Sequence, residues 1–339
     1  MTQPRKPLPA GRRKSIVQSY ERLIKTSFLT AGTLPLVIQP DQDNLILSDW
    51  VRSNRAFIEA HLQRHGGLLF RGFGLTSQSD FEDLLEALAL PLMRYFEGAT
   101  PRTELGDHIY TSTEFPADQS IALHNELTYV TTWPMKILFF CQQPAASGGA
   151  TPIADVRKVL RRLSPAVVGR FLEHGWMLVR NFGDLGLSWQ TSFHTQASGE
   201  VEAYCRQARI EWEWRSGSRL RTKQARRAIA MHPRTGEEVW FNHVAFWHVS
   251  SLVEAAREAM RDFFSEEELP YNTYYGDGSP IEDEVVEEIR EAYRKERVEF
   301  GWERGDLLLL DNMLVAHGRN PFAGERQILV AMGEPYGVG

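Results

Sequence analysis

The feature that most constrains the fold is a set of polar residues that only long-range strand pairing can bring together. Residues 121–129 alternate in the manner of a strand and carry His124, Asn125 and Glu126. Far downstream, 306–310 and 326–332 read as strands bracketing a loop that holds His317. On an extended strand positions i and i+2 point the same way, so His124 and Glu126 can share one metal ion. A third ligand from a distant strand, His317, completes a 2-His-1-carboxylate facial triad, which suits non-haem Fe(II) and leaves coordination positions open. Arg326 can then grip the carboxylate of an organic co-substrate as a forked ion pair.

Elsewhere the periodicity predicts a mixed fold. Residues 54–65 read as a helix with Phe57, Ile58 and Leu62 on its apolar side, and 67–70 as a buried strand. Residues 79–90 open on a capping serine, Ser79, and place Phe81, Leu84, Leu85 and Leu88 at helical spacing. The apolar run 135–141 has strand length. Residues 155–174 read as two short helices, the second starting at Ser164-Pro165, because proline suits a first helical turn. A strand is expected at 176–179, a hairpin about Pro233-Arg234-Thr235-Gly236, and a charged helix over 282–297. Many short strands with helices outside them predict an α+β fold built on a jelly-roll double sheet. There is no internal repeat or low-complexity linker. One domain over 16–339 is expected, with 1–15 as a disordered arm and 181–300 as an insertion or lid.

Composition narrows the function classes. The chain is 42% hydrophobic and 24% charged, as soluble globular proteins are. No apolar run approaches the roughly 20 residues that span a bilayer. The Pro- and Arg/Lys-rich start lacks a signal peptide's apolar core, so a cytoplasmic location is expected. A net charge of −6 argues against general affinity for nucleic acid. Cys141 and Cys205 form neither a zinc spacing nor a disulfide framework, and Cys141 reads as a buried, inert thiol.

His124 and Glu126 alone are weak evidence, because a chance His-x-Glu is common in a chain with ten histidines. Their context is more specific. Leu123-His124-Asn125-Glu126-Leu127-Thr128-Tyr129 is followed by Pro144-Ala145-Ala146-Ser147-Gly148-Gly149-Ala150-Thr151-Pro152, and later by a segment running from Asp311-Asn312 through His317-Gly318-Arg319 to Arg326. In this order the three motifs resemble the TauD/TfdA superfamily of Fe(II)/2-oxoglutarate oxygenases, most nearly its SyrP-like and clavaminate-synthase-like members. The resemblance covers roughly residues 65–335. It implies a double-stranded β-helix (cupin-like) core with flanking helices, and Fe(II), 2-oxoglutarate and O2 as cofactors and co-substrate. His124, Glu126 and His317 match the iron ligands. Arg326 matches the arginine on the distal carboxylate of 2-oxoglutarate, and Thr151 the threonine whose hydroxyl assists it. Members that halogenate replace the carboxylate ligand with a small residue. Glu126 stands at that position here, which implies hydroxylation.

The resemblance further implies an amino acid substrate, free or tethered to a carrier protein, with the β carbon as target. Desaturation, cyclisation or epimerisation on the same scaffold is the alternative, and a non-catalytic jelly-roll binding protein is the alternative of another class. Arg102, Ser112 and Thr113 either bind a substrate carboxylate or brace a loop. Arg319 fits the His-Gly-Arg pattern with a structural or a ligand-binding role. Asn125 is a further substrate candidate. Asn242 and His243 lie in an aromatic cluster, Trp240-Phe241-Asn242-His243 and Phe246-Trp247-His248, that is most simply core; the functional reading puts them in the substrate pocket. Residues 182–221 are expected to supply a lid, with Trp212 and Trp214 as strand packing otherwise. The basic stretches at 157–162 and 219–227 either dock an acidic carrier or are solvated charges. His61 and His65 have i, i+4 spacing but no further ligand, and are expected to be solvated helix residues.

Overall fold

The apolar run expected over 135–141 is the middle of a twelve-residue strand, Thr132–Gln143, which lies inside an eight-stranded sheet. The computed structural model describes residues 23–337 except 30, 31, 99, 101, 184 and 253; the arm expected over 1–15 lies outside the described residues. The strands run in the order Ile24–Phe28, Leu36–Pro40, Gly67–Phe70, Leu307–Asp311, Thr132–Gln143, Gln327–Gly337, Ile109–Thr111, Glu104–Gly106. Leu36–Pro40 and Gly67–Phe70 pair in parallel and the other neighbours are antiparallel.

Alternation along the central strands explains their continuous apolar sequence. Leu138, Phe140, Leu307 and Leu309 pack with the helices Leu47–His65 and Gln78–Leu88 on one face. Ile137, Phe139, Cys141, Leu308 and Leu310 face the opposite core. A sheet covered on both sides has no polar face to reveal its period. The second layer is a three-stranded sheet with Val315–Arg319 at its centre, between Ile121–His124 and Ile153–Asp155. Cys141 is buried between the layers, and burial pushes its thiol up to about 12, as an inert thiol requires.

Several local expectations shift. The first helix begins at Leu47, two turns before the expected start, and bends at Asn54, whose Nδ2 donates to the Trp50 carbonyl. The polar sequence around that bend hides the buried Trp50 and Val51. The second helix is capped by Ser77, not Ser79. Ser77 Oγ accepts from Asp80 N while Asp80 Oδ2 accepts from Ser77 N, a reciprocal capping box. His65 is buried rather than solvated, with Nδ1 3.1 Å from the Thr33 carbonyl and its ring stacked on His61. The break at Ser164-Pro165 falls where expected, with Ser164 as cap and proline in the first turn.

The long segment forms a sheet of its own, in the order Glu211–Arg215, Arg219–Arg226, Trp176–Phe182, Tyr271–Tyr275. Phe182, Trp189, Phe193, Val201, Cys205 and Leu220 make a small separate core, and Trp212 and Trp214 pack against it, as the strand-packing reading expects. The hairpin Ile229–Met231/Glu238–Trp240 is present, as is the helix Asp283–Glu296. No described helix is long and apolar enough to cross a membrane.

At the strand ends of the main sheet Arg71 grips the buried Asp306 with Nε (3.0 Å) and Nη2 (2.6 Å), tying the end of Gly67–Phe70 to the start of Leu307–Asp311. Removing one partner of such a pair strands the other charge. Arg71→Met is expected to destabilise the fold by about 3 kcal/mol in urea unfolding. A loss below about 0.5 kcal/mol would mean that solvent replaces the guanidinium at no cost.

Candidate metal centre and co-substrate pocket

The meeting of chain ends that the triad demands is made by one register. His317 lies opposite His124 where Val315–Arg319 pairs with Ile121–His124. His317 therefore sits on a strand, not on the loop expected between strands. Glu126 departs from expectation in the other direction. The strand stops at His124, residues 126–129 turn, and Leu127 takes φ 57°. The i, i+2 argument selects residues that the structure brings together, but a turn and not a strand aims the carboxylate. One ligand atom from each of His124, Glu126 and His317 lies within 4.8 Å of the others, the one such group among the described residues. His317 Nε2 is 3.7 Å from Glu126 Oε2.

The turn is held by Asn312. Its Oδ1 accepts from Glu126 N (2.7 Å), and its Nδ2 donates to the carbonyls of Glu126 and Pro134 (both 2.9 Å). Asn125 Nδ2 donates back to the Asn312 carbonyl at 2.6 Å. Beyond the carboxylate, Arg102 Nη2 donates to Glu126 Oε2 at 2.8 Å, and its guanidinium lies over the Tyr95 ring.

The protonation states suit a divalent cation. His124 Nδ1 donates to the Ala122 carbonyl at 2.8 Å, which leaves Nε2 with a free lone pair. Burial holds the His124 ring below the usual histidine range despite Glu126. Burial, with the charges of His124 and Arg102, holds His317 well below it. Burial alone would raise Glu126, but Arg102, His124 and His243 outweigh it and hold the carboxyl below the usual range. A metal ion need displace no proton to bind two neutral imidazoles and one carboxylate.

Beside the triad is a cavity lined by Arg326, Arg319, Thr151, Ser112 and Arg102. Arg326 Nε donates to the Gly149 carbonyl (3.0 Å), with Ser112 Oγ and Thr151 Oγ1 at 3.4 and 3.5 Å from its other nitrogens. Trp302 Nε1 donates to Thr151 Oγ1 at 3.1 Å. No described carboxylate lies within ion-pair distance of Arg326 or Arg319. Burial, reinforced by Arg319, brings Arg326 down to about 10. A buried guanidinium with only neutral partners awaits an anion.

Residues 32–332 match the family model described as Taurine catabolism dioxygenase TauD, TfdA family. The chain belongs to this family. It is similar to the dapdiamide synthesis protein DdaC of Enterobacter agglomerans, with 42% identity over 82% of this chain and 85% of that protein. A clavaminate synthase-like protein of Arabidopsis thaliana is 29% identical over 88% of this chain and 93% of its own length. Among solved structures, PvcB from Pseudomonas aeruginosa has a TM-score of 0.54 at 16% identity, with 91% of each chain covered. A taurine dioxygenase from Burkholderia xenovorans has a TM-score of 0.54 at 16% identity, covering 93% of this chain and 91% of that one. These share the fold, the double-stranded β-helix. As a TauD, TfdA family member the protein is a dioxygenase that uses Fe(II), 2-oxoglutarate and O2. Membership sets aside the reading as a non-catalytic binding protein.

Within this TauD, TfdA site the remaining candidates divide. Arg102, Ser112, Thr113 and Arg319 line the cavity. Arg319 also donates to the carbonyls of Phe115, Pro116 and Gln119, so it braces that loop as well. Asn125 is fully buried and committed to Asn312, and Asn242 caps the turn Val244–Trp247 through Val244 N and donates to the Ala228 carbonyl. Neither lines this cavity, and both side chains bond backbone groups of the fold. His243 bonds Thr128 Oγ1, with its ring 5.5 Å from that of His124. Phe246 and Phe139 press on His124 and His317, at 4.6 and 5.0 Å between ring centres. Nothing in 182–221 lines this cavity among the described residues. Phe139 and Trp302 carry no functional mark in the sequence, because an aromatic side chain gives no sign of what it faces.

The depressed histidines predict the pH response of metal binding. A lowered pKa keeps the rings neutral as pH falls through the ordinary histidine value near 6.5. Mn(II) affinity, followed by loss of the free-ion EPR signal, is expected to stay flat between pH 8 and about 6. A fall centred at 6.5 would show that the rings titrate as exposed ones do.

Proposed function

We propose that His124, Glu126 and His317 hold Fe(II), that Arg326 with Thr151 and Ser112 holds the far carboxylate of 2-oxoglutarate, and that the enzyme hydroxylates an amino acid at its β carbon in natural-product biosynthesis. The observation that carries the reading is the cavity beside the triad, where two guanidiniums, Arg319 and Arg326, lack a carboxylate partner among the described residues. Such a cavity is suited to a dicarboxylate co-substrate. The 42% identity to a dapdiamide synthesis protein supports an assembly-pathway role. Retention of Glu126, where a halogenating member has a small residue, supports hydroxylation.

When bound, iron, 2-oxoglutarate and O2 supply the oxidising power to break an unactivated C–H bond. This chain supplies position and dielectric. Arg102 keeps Glu126 ionised, Arg326 fixes the co-substrate's far end, and Phe139 and Phe246 keep water from the ligand rings. Phe246 belongs to the long segment between the core motifs, and we place the site's cover at 243–247. Arg102 also bears on the substrate. It lines the cavity, and its Nε and Nη1 are buried without a partner. A substrate carboxylate would satisfy them. An aminoacyl thioester has given up its α-carboxylate, so Arg102 favours the free amino acid over the carrier-bound one. The stretch 157–162 adds little to a carrier interface, since Arg157 is buried against Asp155 and Glu237 and Arg162 is paired with Glu296.

Anaerobic addition of Fe(II) and 2-oxoglutarate is expected to give a visible charge-transfer band that His124→Ala abolishes. In Arg326→Met the band should require about 30-fold or more 2-oxoglutarate, as loss of one partner of a buried charge pair implies. Aerobic incubation with an amino acid panel should then yield a product heavier by one oxygen. A product lighter by two hydrogens would replace hydroxylation with desaturation, and no band in folded, iron-loaded protein would overturn the co-substrate assignment.

A further inference from the structure

Glu126 presents a physical problem that the ligand set does not solve. The residue sits in a turn after the strand has ended, and Leu127 carries a left-handed φ of 57°. Strand pairing therefore cannot fix its backbone, and a ligand on an unsupported turn is free to rotate away from the metal. Asn312 replaces the missing strand. It is wholly buried, and its carboxamide commits every hydrogen-bonding group to the turn and the strand behind it. Oδ1 accepts from Glu126 N–H, one Nδ2 hydrogen goes to the Glu126 carbonyl and the other to Pro134. Both backbone polar groups of Glu126 are thus held by one side chain, as the facing residue of an antiparallel pair would hold them.

The bracket is itself anchored. Asn312 N donates to the Met135 carbonyl in the central strand. The preceding residue, Asp311, is buried, with Oδ1 accepting from the backbone N–H groups of Met313 and Leu314. Its Oδ2 lies 3.0 Å from His232 Nε2. His232 Nδ1 accepts from Arg234 N and Thr235 N, so Nε2 carries the proton that Asp311 receives. A run of buried polar contacts therefore links the 229–240 hairpin to the Glu126 turn, with Arg102 closing on Glu126 Oε2.

We propose that Asn312 is the positioning residue of the metal site: it fixes the Glu126 turn against the central sheet and so sets metal affinity, without touching metal or substrate. The proposal rests on the assignment of His124, Glu126 and His317 as the ligands. Outer-shell partners of metal ligands typically govern affinity by about 10- to 100-fold, and Asn312 belongs in that range.

The test separates affinity from stability. Mn(II) dissociation constants are measured by EPR, without turnover, for wild type, His317→Ala, Asn312→Ala, Asn312→Ser, Asn125→Ala and Leu309→Ala, beside melting temperatures for each. Leu309 is a buried core residue facing the helices, so its truncation lowers stability away from the site. The expected result is at least a tenfold weaker Mn(II) affinity in Asn312→Ala and Asn312→Ser, a few-fold loss in Asn125→Ala, and an unchanged value in Leu309→Ala despite a lower melting point. Asn125→Ala keeps the proposal testable should the Asn312 variants fail to fold, because Asn312 itself remains. Wild-type affinity in a folded Asn312 variant, or in Asn125→Ala when neither folds, overturns the proposal and leaves the ligand assignment intact. An equal loss in Leu309→Ala overturns it as well, by reducing Asn312 to a stability residue. Weak binding in wild type that His317→Ala does not change overturns the ligand assignment and the proposal with it.

Discussion

The antiparallel contact between Ile121–His124 and Val315–Arg319 is the interaction on which the site depends. It places one histidine of the triad opposite the other. It also carries Arg319 to the cavity and fixes the path that returns the chain to Arg326. The pairing holds because Val315–Arg319 is flanked on its other side by Ile153–Asp155, just after Thr151. One three-stranded sheet thus brings His124, His317, Arg319 and the segment after Thr151 together from three distant stretches of sequence. The larger sheet behind it lends Phe139, Ile328 and Val330 to the cavity wall and rigidity through leucines whose alternate faces serve two cores.

Charge is distributed unevenly around the cavity. Three guanidiniums line it, and of these only Arg102 is paired with Glu126. The other two are stabilised by neutral oxygens, Arg319 by loop carbonyls and Arg326 by Gly149 and two hydroxyls. Neutral partners satisfy donors without cancelling the field, so the cavity stays attractive to anions while its walls remain ordered. Gly149 belongs to this arrangement: a Cβ there would lie 3.0 Å from Arg326 Cδ, and its φ of +69° is one that side chains disfavour.

What is legible in the sequence follows from what leaves a local trace. His124, Glu126, His317, Thr151 and Arg326 stand out because their motifs occur together and in order, and strands such as 67–70 because they are uninterrupted apolar runs. The capping serine is misplaced by two positions, since Ser77 and Ser79 both stand at the helix start and only the reciprocal bond with Asp80 distinguishes Ser77 as the cap. Glu126 reads as a strand residue because alternation continues through 129 although the backbone does not. Asn125 and Asn242 read as substrate candidates because a polar residue near a motif looks functional, and the structure gives both a bond to the backbone of the fold. A buried amide that braces a turn has the same one-letter signature. Of the aromatic wall, Phe246 stands in a visible aromatic cluster and Phe139 has no signature at all.

The register between His124 and His317 also bears on how the protein is made. A chain emerging from the ribosome has one imidazole and the carboxylate long before the second imidazole exists, and no nearby strand for them to pair with. The central sheet is in the same position, since Thr132–Gln143 lies between two strands from the end of the chain. Contacts this distant in sequence close slowly and late. A chain that stops before residue 317 therefore lacks one side chain of the triad, and the group His124, Glu126 and His317 cannot form.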